Sequence, residues 1–118
     1  MKTRHYDIED RLIIFSVMIL DMLEHLPNSY AAKHLGSQLI RSGTSPALNY
    51  GEAQAAESRR DFIHKLKVCL KELRESQICL KIIGKKNYVK AEIIDPVIKE
   101  CGELIAIIMT SIKTASNK

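Results

Sequence analysis

Phe62-Ile-His-Lys-Leu66-Lys-Val-Cys69-Leu-Lys-Glu-Leu73-Arg-Glu-Ser76-Gln-Ile-Cys-Leu80-Lys-Ile-Ile83 decides the fold. Its numbered residues are separated by alternating steps of four and three over three heptads, the interval at which a helix returns to one side. A strand would need apolar residues at every second position, and this run lacks them. A stripe this narrow is the seam of a helical bundle, in which each helix buries a ridge against its neighbours. Ser58, with Asp61 three residues on, supplies a capped start, and Gly84 supplies a stop.

Working outward, the same spacing recurs twice. From about Lys90 to Thr114, Ile94, Ile98, Cys101, Ile105, Ile108 and Ile112 form one stripe, with Ile93, Val97, Leu104 and Ile107 beside it. Pro96 falls in the early turns, where a missing donor matters less. From about Asp7 to His25, Ile8, Leu12, Phe15, Ile19, Met22 and Leu26 form another, and Ile13, Ile14, Val17, Met18 and Leu20 add apolar residues on other faces. Pro27-Asn28-Ser29 breaks that helix, and Ser29 is placed to cap the next. The second helix, about Tyr30 to Ala55, has a thin apolar face of Leu35, Leu39, Ala47 and Leu48. Pro46 cannot donate to the Ser42 carbonyl, so one helix with a bend is expected in preference to two short ones. With 118 residues there is one core and one domain, residues 1–118. The fold class is all-α, an antiparallel up-down four-helix bundle with a kinked second helix.

Composition narrows the function classes. Aromatic residues make up 5% and Trp is absent, so the apolar mass is Ile and Leu, which suits helix-on-helix packing. No apolar run approaches the roughly 18 residues of a membrane span, and the basic start has no apolar segment behind it. A cytoplasmic chain without a membrane partner is the expectation. Cys69, Cys79 and Cys101 have no C-x-x-C spacing and read as reduced, buried small hydrophobes. Neither G-x-x-x-x-G-K-[ST] nor G-x-G-x-x-G is present to cradle nucleotide phosphates. Asp61 and His64 have the i,i+3 spacing of half a bundle metal site, but no second half accompanies them. No cofactor, metal or catalytic residue is expected, and hence no enzyme.

The net charge of +4 is uneven: residues 57–90 hold ten basic and four acidic groups. Arg60, His64, Lys67, Lys71 and Arg74 step by four, three, four and three, about 150° round the helix from its apolar seam. Lys81 and Lys85 extend the row past Ile78. Such a row can follow phosphates; the alternative is an ordinary solvated face with Lys71 paired to Glu75 at i,i+4. No aromatic residues interleave to stack single-stranded bases. A second constellation, Arg41, Ser45, Asn49 and Glu52, lies along one face of helix two and reads as a polar seam. In that seam Ser45 bonds back to its own helix, and Arg41 or Asn49 reaches Glu72 or Glu75 of helix three. Helices one and four carry more apolar surface than three neighbours cover, which favours a homo-oligomer.

The runs Gln38-Leu-Ile-Arg41-Ser-Gly-Thr-Ser45-Pro46-Ala-Leu-Asn49-Tyr-Gly-Glu52, Ser58-Arg-Arg-Asp-Phe62-Ile-His-Lys-Leu66 and Lys71-Glu-Leu-Arg-Glu75 resemble a bacterial family. Its members are four-helix bundle proteins encoded by intervening sequences within 23S ribosomal RNA genes. The accessory protein of diversity-generating retroelements looks like a relative. Where that family reads Asn-Ile-Ala-Glu-Gly, this chain reads Asn49-Tyr-Gly-Glu52-Ala, with the glycine on the other side of the glutamate. The resemblance implies an up-down bundle assembled as a ring of five, with a role in nucleic-acid binding and no catalytic residues. Arg41, Arg59 and Arg60 match its basic positions, whereas Lys67, Lys71 and Arg74 come from periodicity.

The functional expectation is therefore non-enzymatic binding of RNA or DNA by a homopentamer, through Arg41, Arg59, Arg60, Lys67, Lys71 and Arg74. Two alternatives stand beside it: a scaffold recruiting a protein partner, and a passenger of a selfish element with no nucleic-acid role.

Overall fold

A computed structural model describes residues 4–117. It contains four helices, α1 (Arg4–Leu23), α2 (Tyr30–Gln54), α3 (Arg59–Lys85) and α4 (Ala91–Ser116). Each packs on its sequence neighbours and α4 closes on α1, while the diagonal pairs stay apart. This is the antiparallel up-down bundle that the apolar spacing predicts, drawn out to 47 × 28 × 19 Å.

The predicted stripes form the core. Leu12, Phe15 and Ile19 of α1 meet Leu66, Leu73, Leu80 and Ile83 of α3 and Ile94, Leu104 and Ile108 of α4 with essentially no exposed surface. Each such aliphatic side chain contributes about 1.5–3 kcal/mol on burial.

α2 departs from its expected face. Leu48 is 68% exposed, and the buried side is Ala32, Gly36, Leu39, Ser42, Gly43, Pro46, Tyr50 and Ala53. The helix runs unbroken through Pro46 and packs by close approach, for which small residues are needed. A Cβ on Gly43 would stand 2.9 Å from Ile19 Cγ1, and one on Gly36 would stand 3.1 Å from Leu26 Cδ1. Ser16 Oγ donates to the carbonyls of Leu12 and Gly43, tying α1 to α2. On its other flank, Ser76 Oγ of α3 donates to Ser42 Oγ at 2.9 Å, and both residues are fully buried.

The predicted caps form: Ser29 Oγ accepts from Ala32 N and Ser58 Oγ from Asp61 N. The α3 stop differs. Gly84 stays within the helix, and Asn87 takes the left-handed conformation at φ 58°. Asn87 N donates to Gly84 O and Tyr88 N to Ile83 O, closing a Schellman motif. Asn tolerates this conformation where most side chains do not. The stop therefore lies three residues beyond the glycine.

All three cysteines are free and buried. The thiols of Cys69 and Cys101 donate to the carbonyls of Pro46 and Leu73. Burial pushes both from the usual value near 9 up to about 12. They are packing groups held as thiols.

Candidate nucleic-acid interface

α3 is 27 residues long, about 40 Å at 1.5 Å per residue. Its inner side is committed to Leu66, Cys69, Leu73, Ser76, Leu80 and Ile83, so whatever lies opposite faces solvent. Arg60, His64, Lys67, Lys71 and Arg74 do lie opposite, and all are exposed. They span about 21 Å along the axis. The structure thus brings four of the six predicted cations, Arg60, Lys67, Lys71 and Arg74, onto one face and adds His64.

No carboxylate among the described residues forms an ion pair with Arg60, His64, Lys67 or Lys71. The anticipated Lys71–Glu75 pair does not form, because Glu75 goes to α2 instead. Arg74 Nη2 lies 3.2 Å from Met109 Sδ of α4, a weak acceptor that leaves the guanidinium at the surface. Beyond Lys71 the face changes character: Ile78 and Ile82 are exposed before Lys85.

Arg41 is placed elsewhere. It reaches across the α2–α3 groove, with Nη1 2.8 Å from Glu72 Oε1 and Nη2 on Glu75 Oε2. Glu72 is the main cause holding the guanidinium above its ordinary value. A fork that engages two carboxylates one turn apart wins Glu75 over a single lysine ammonium. The seam residues of α2 share that side. Asn49 Nδ2 donates to Ser45 O within its own helix, and Glu52 accepts from Lys65 Nζ at 2.7 Å. The hydroxyl that bonds back along the helix is that of Thr44, to Ile40 O, and not the expected Ser45 hydroxyl.

Two polar features carry no local sequence signal. Arg11 of α1 binds Glu100 through both Nε (3.0 Å) and Nη2 (2.6 Å), and Glu103 at 2.9 Å, fastening α1 to α4. The bond to Glu100 is the main cause raising its pKa. The second is a cleft of about 720 Å³ between the first turns of α3 and the last turn of α4, lined by Arg59, Arg60, Ile63, His64, Lys67 and Ser116. Residues this far apart in sequence meet only once α3 and α4 lie antiparallel.

α1 presents a different outward face. Ile13, Ile14, Val17 and Leu20 are each 45–50% exposed. Ile40 of α2 is also exposed, and the register that sets Gly43 against Ile19 places it within one turn of Leu20. Among the described residues of α4, Met109 alone of the large apolar side chains is exposed, while Ile93, Ile98, Ile107 and Ile112 lie half-buried against the core.

Among the described residues, no helix is long and apolar enough to cross a membrane. No group of three or more His, Cys, Asp or Glu side chains comes together there as a metal site.

A profile described as 23S rRNA-intervening sequence protein matches residues 4–110. A solved structure described as a protein with unknown function from the S23 ribosomal protein family of Bacteroides thetaiotaomicron VPI-5482 is similar throughout. The two superpose with a TM-score of 0.86 at 30% identity, covering 94% of this chain and 99% of that one. No curated protein matches the chain. With a profile spanning nearly all four helices and a like-folded relative of almost the same length, the chain belongs to the 23S rRNA-intervening sequence protein family.

Proposed function

We propose that this protein is a non-enzymatic, cytoplasmic nucleic-acid-binding protein, and that the outer row of α3 tracks the phosphates of structured RNA or DNA. The observation that carries the reading is the absence, among the described residues, of carboxylate partners along Arg60, His64, Lys67 and Lys71. Arg11, Arg41 and Lys65 of the same molecule all have them. Desolvating a cation against phosphate is favourable where no internal anion competes for it. Arg41 then positions α2 against α3 and makes no phosphate contact.

Self-association multiplies the row. Several adjoining aliphatic side chains on α1, each about half exposed, favour burial against another copy. A ring of five, as the family resemblance implies, would repeat the cationic face five times and turn a weak single contact into a multivalent one.

The test is fluorescence anisotropy with duplex RNA over a range of salt. Affinity falls linearly in log–log form with added salt, and removing one phosphate-binding cation lowers the slope by about 0.9. Combined Lys67→Glu, Lys71→Glu and Arg74→Glu weakens binding and flattens the slope. Unchanged binding by that variant refutes the reading.

The α1 strip supports a second reading, a scaffold that recruits another polypeptide. Pull-down from nuclease-treated lysate separates the two, because a protein partner survives the treatment and an RNA-bridged one does not.

A further inference from the structure

The cleft at the α3–α4 end of the bundle is shallow and open to solvent, and it differs from the rest of the cationic face in having Ile63 among its lining residues. Arg60 and Lys67 stand two turns apart, about 10 Å along the axis, and both line the cleft together with His64. Ile63 is half-buried beneath them, and the exposed Ser116 closes the α4 side with a hydroxyl. Among the described residues, no acidic side chain lines the cleft. Asp61, in the same turn of α3, acts instead on Lys65 on the α2 side. Arg59 has an interaction of its own, and the anion-binding character of the cleft does not depend on it.

Two physical facts limit what such a site prefers. A phosphodiester within a strand carries one charge, whereas a phosphomonoester carries about −1.5 to −2 at neutral pH and offers three acceptor oxygens. A convex lysine row suits the former, and several donors converging on one hollow suit the latter. At about 720 Å³, and open on its outer side, the cleft has more room than a bare phosphate needs. The remaining space lies over Ile63, where a sugar and base can cover apolar surface without a specific hydrogen-bonding pattern.

We infer that this cleft seats one nucleotide bearing a terminal phosphomonoester, either at the end of a strand or free, with Arg60, His64 and Lys67 on the phosphate and Ile63 beneath the sugar and base. The inference rests on the nucleic-acid reading above where the nucleotide ends a strand. It adds a preference for phosphorylated ends that a simple cationic row lacks.

The experiment compares one short RNA with a 5′-phosphate, with a 3′-phosphate and with hydroxyls at both ends, by anisotropy at physiological salt. At least one phosphorylated form binds about tenfold more tightly than the hydroxyl form, as a charge-assisted hydrogen bond to a single group allows. Arg60→Ala combined with Lys67→Ala erases the difference, and Lys99→Ala on α4 leaves it. Circular dichroism confirms that each variant stays helical, as expected for exposed positions. Adenosine monophosphate competes for the phosphorylated end if the cleft also takes free nucleotides, and fails to compete if the strand supplies further contacts. In either case the cleft assignment holds only if the double variant abolishes the preference. Equal affinity for all three ends, with His64 ring resonances unshifted by adenosine monophosphate, overturns the inference, and so does a preference that persists in the double variant. Salt-dependent duplex binding without any end preference removes the inference and leaves the proposed function standing. Shifts of the His64 ring resonances on adding adenosine monophosphate, without duplex binding, do the reverse.

Discussion

α3 has two long flanks, and they treat charge in opposite ways. On the flank towards α2, Glu72 and Glu75 hold Arg41, Lys65 holds Glu52, and Ser76 is bonded to Ser42. On the outward flank, Arg60, His64, Lys67 and Lys71 have no carboxylate partner among the described residues. Both flanks are rich in charge, and a count of lysines and arginines does not separate them. Partnered charges orient one helix against another. Unpartnered ones of a single sign keep their affinity for an outside anion. The contrast makes helix position, and not residue type, the guide to which cations are left without an internal partner.

That contrast can be broken at several points, and the largest effect belongs to the inner side. Cys69 and Cys101 are held as thiols with pKa values pushed up to about 12 by burial. The stability they supply is full below the unfolded value near 9 and is lost as pH rises towards the folded value. Each thiol then removes about 1.4 kcal/mol per pH unit. Urea melts under reducing conditions will show stability dropping by several kcal/mol between pH 9 and about pH 11, and Cys69→Ala with Cys101→Ala will show a shallower alkaline decline. A flat profile for the parent chain would mean that these thiols are solvated.

Next comes the close approach of α1 and α2. Gly43→Leu places a branched side chain where Ile19 already stands, and overpacking of this kind costs about 1–3 kcal/mol. Thermal melts will report it as a lowered Tm. The matching change on the open side of α2, Gly51→Leu, meets nothing within 4 Å and will not lower the Tm.

The hydroxyl pair between α2 and α3 gives a smaller and more diagnostic effect. Ser76→Ala leaves the Ser42 hydroxyl buried without its donor, a loss of about 1–2 kcal/mol. Ser42→Ala combined with Ser76→Ala removes both polar groups and recovers most of that loss. A double-mutant cycle that shows simple additivity would refute the coupling.

Arg41→Ala is smaller again. The arginine is more than half exposed, so solvent screens its two carboxylate contacts, their contribution to stability is small, and high salt removes most of it. Phosphate binding by this variant will match that of the parent chain. Smallest of all, Lys71→Ala on the outward flank shifts stability by less than about 0.5 kcal/mol. It does lower the salt slope of RNA binding. A larger stability change for Lys71→Ala than for Arg41→Ala would invert the comparison between the flanks.

Much of this architecture is legible in one dimension. The stripes of α1, α3 and α4 and both serine caps follow from rules that act within a turn or two of helix, and the structure reproduces them. Where sequence and structure part, the reasons are identifiable. Leu48 reads as a core residue because it is apolar, yet α2 needs small groups at its contacts, and Gly36, Ser42 and Gly43 take the buried positions. Gly84 reads as a stop because glycine enters the left-handed region freely, yet Asn87 does so here and the helix continues past the glycine. The candidate binding face is half legible. Periodicity aligns Arg60, Lys67, Lys71 and Arg74, but the motif around Arg41 gives no sign that two glutamates of another helix engage it together and withdraw it from the surface row.

The linear chain by itself determined that there would be four helical rods and, to within a residue, where the last three begin. Helix formation and the spacing of apolar residues are governed by contacts a few residues apart. Only the assembled bundle decided which cations meet acids, which glycines lie under a neighbouring isoleucine or leucine, and that the end of α4 closes a hollow beside Arg60 and Lys67. Those outcomes depend on groups 10 to 92 residues apart that come together once apolar burial has fixed the order and register of the helices.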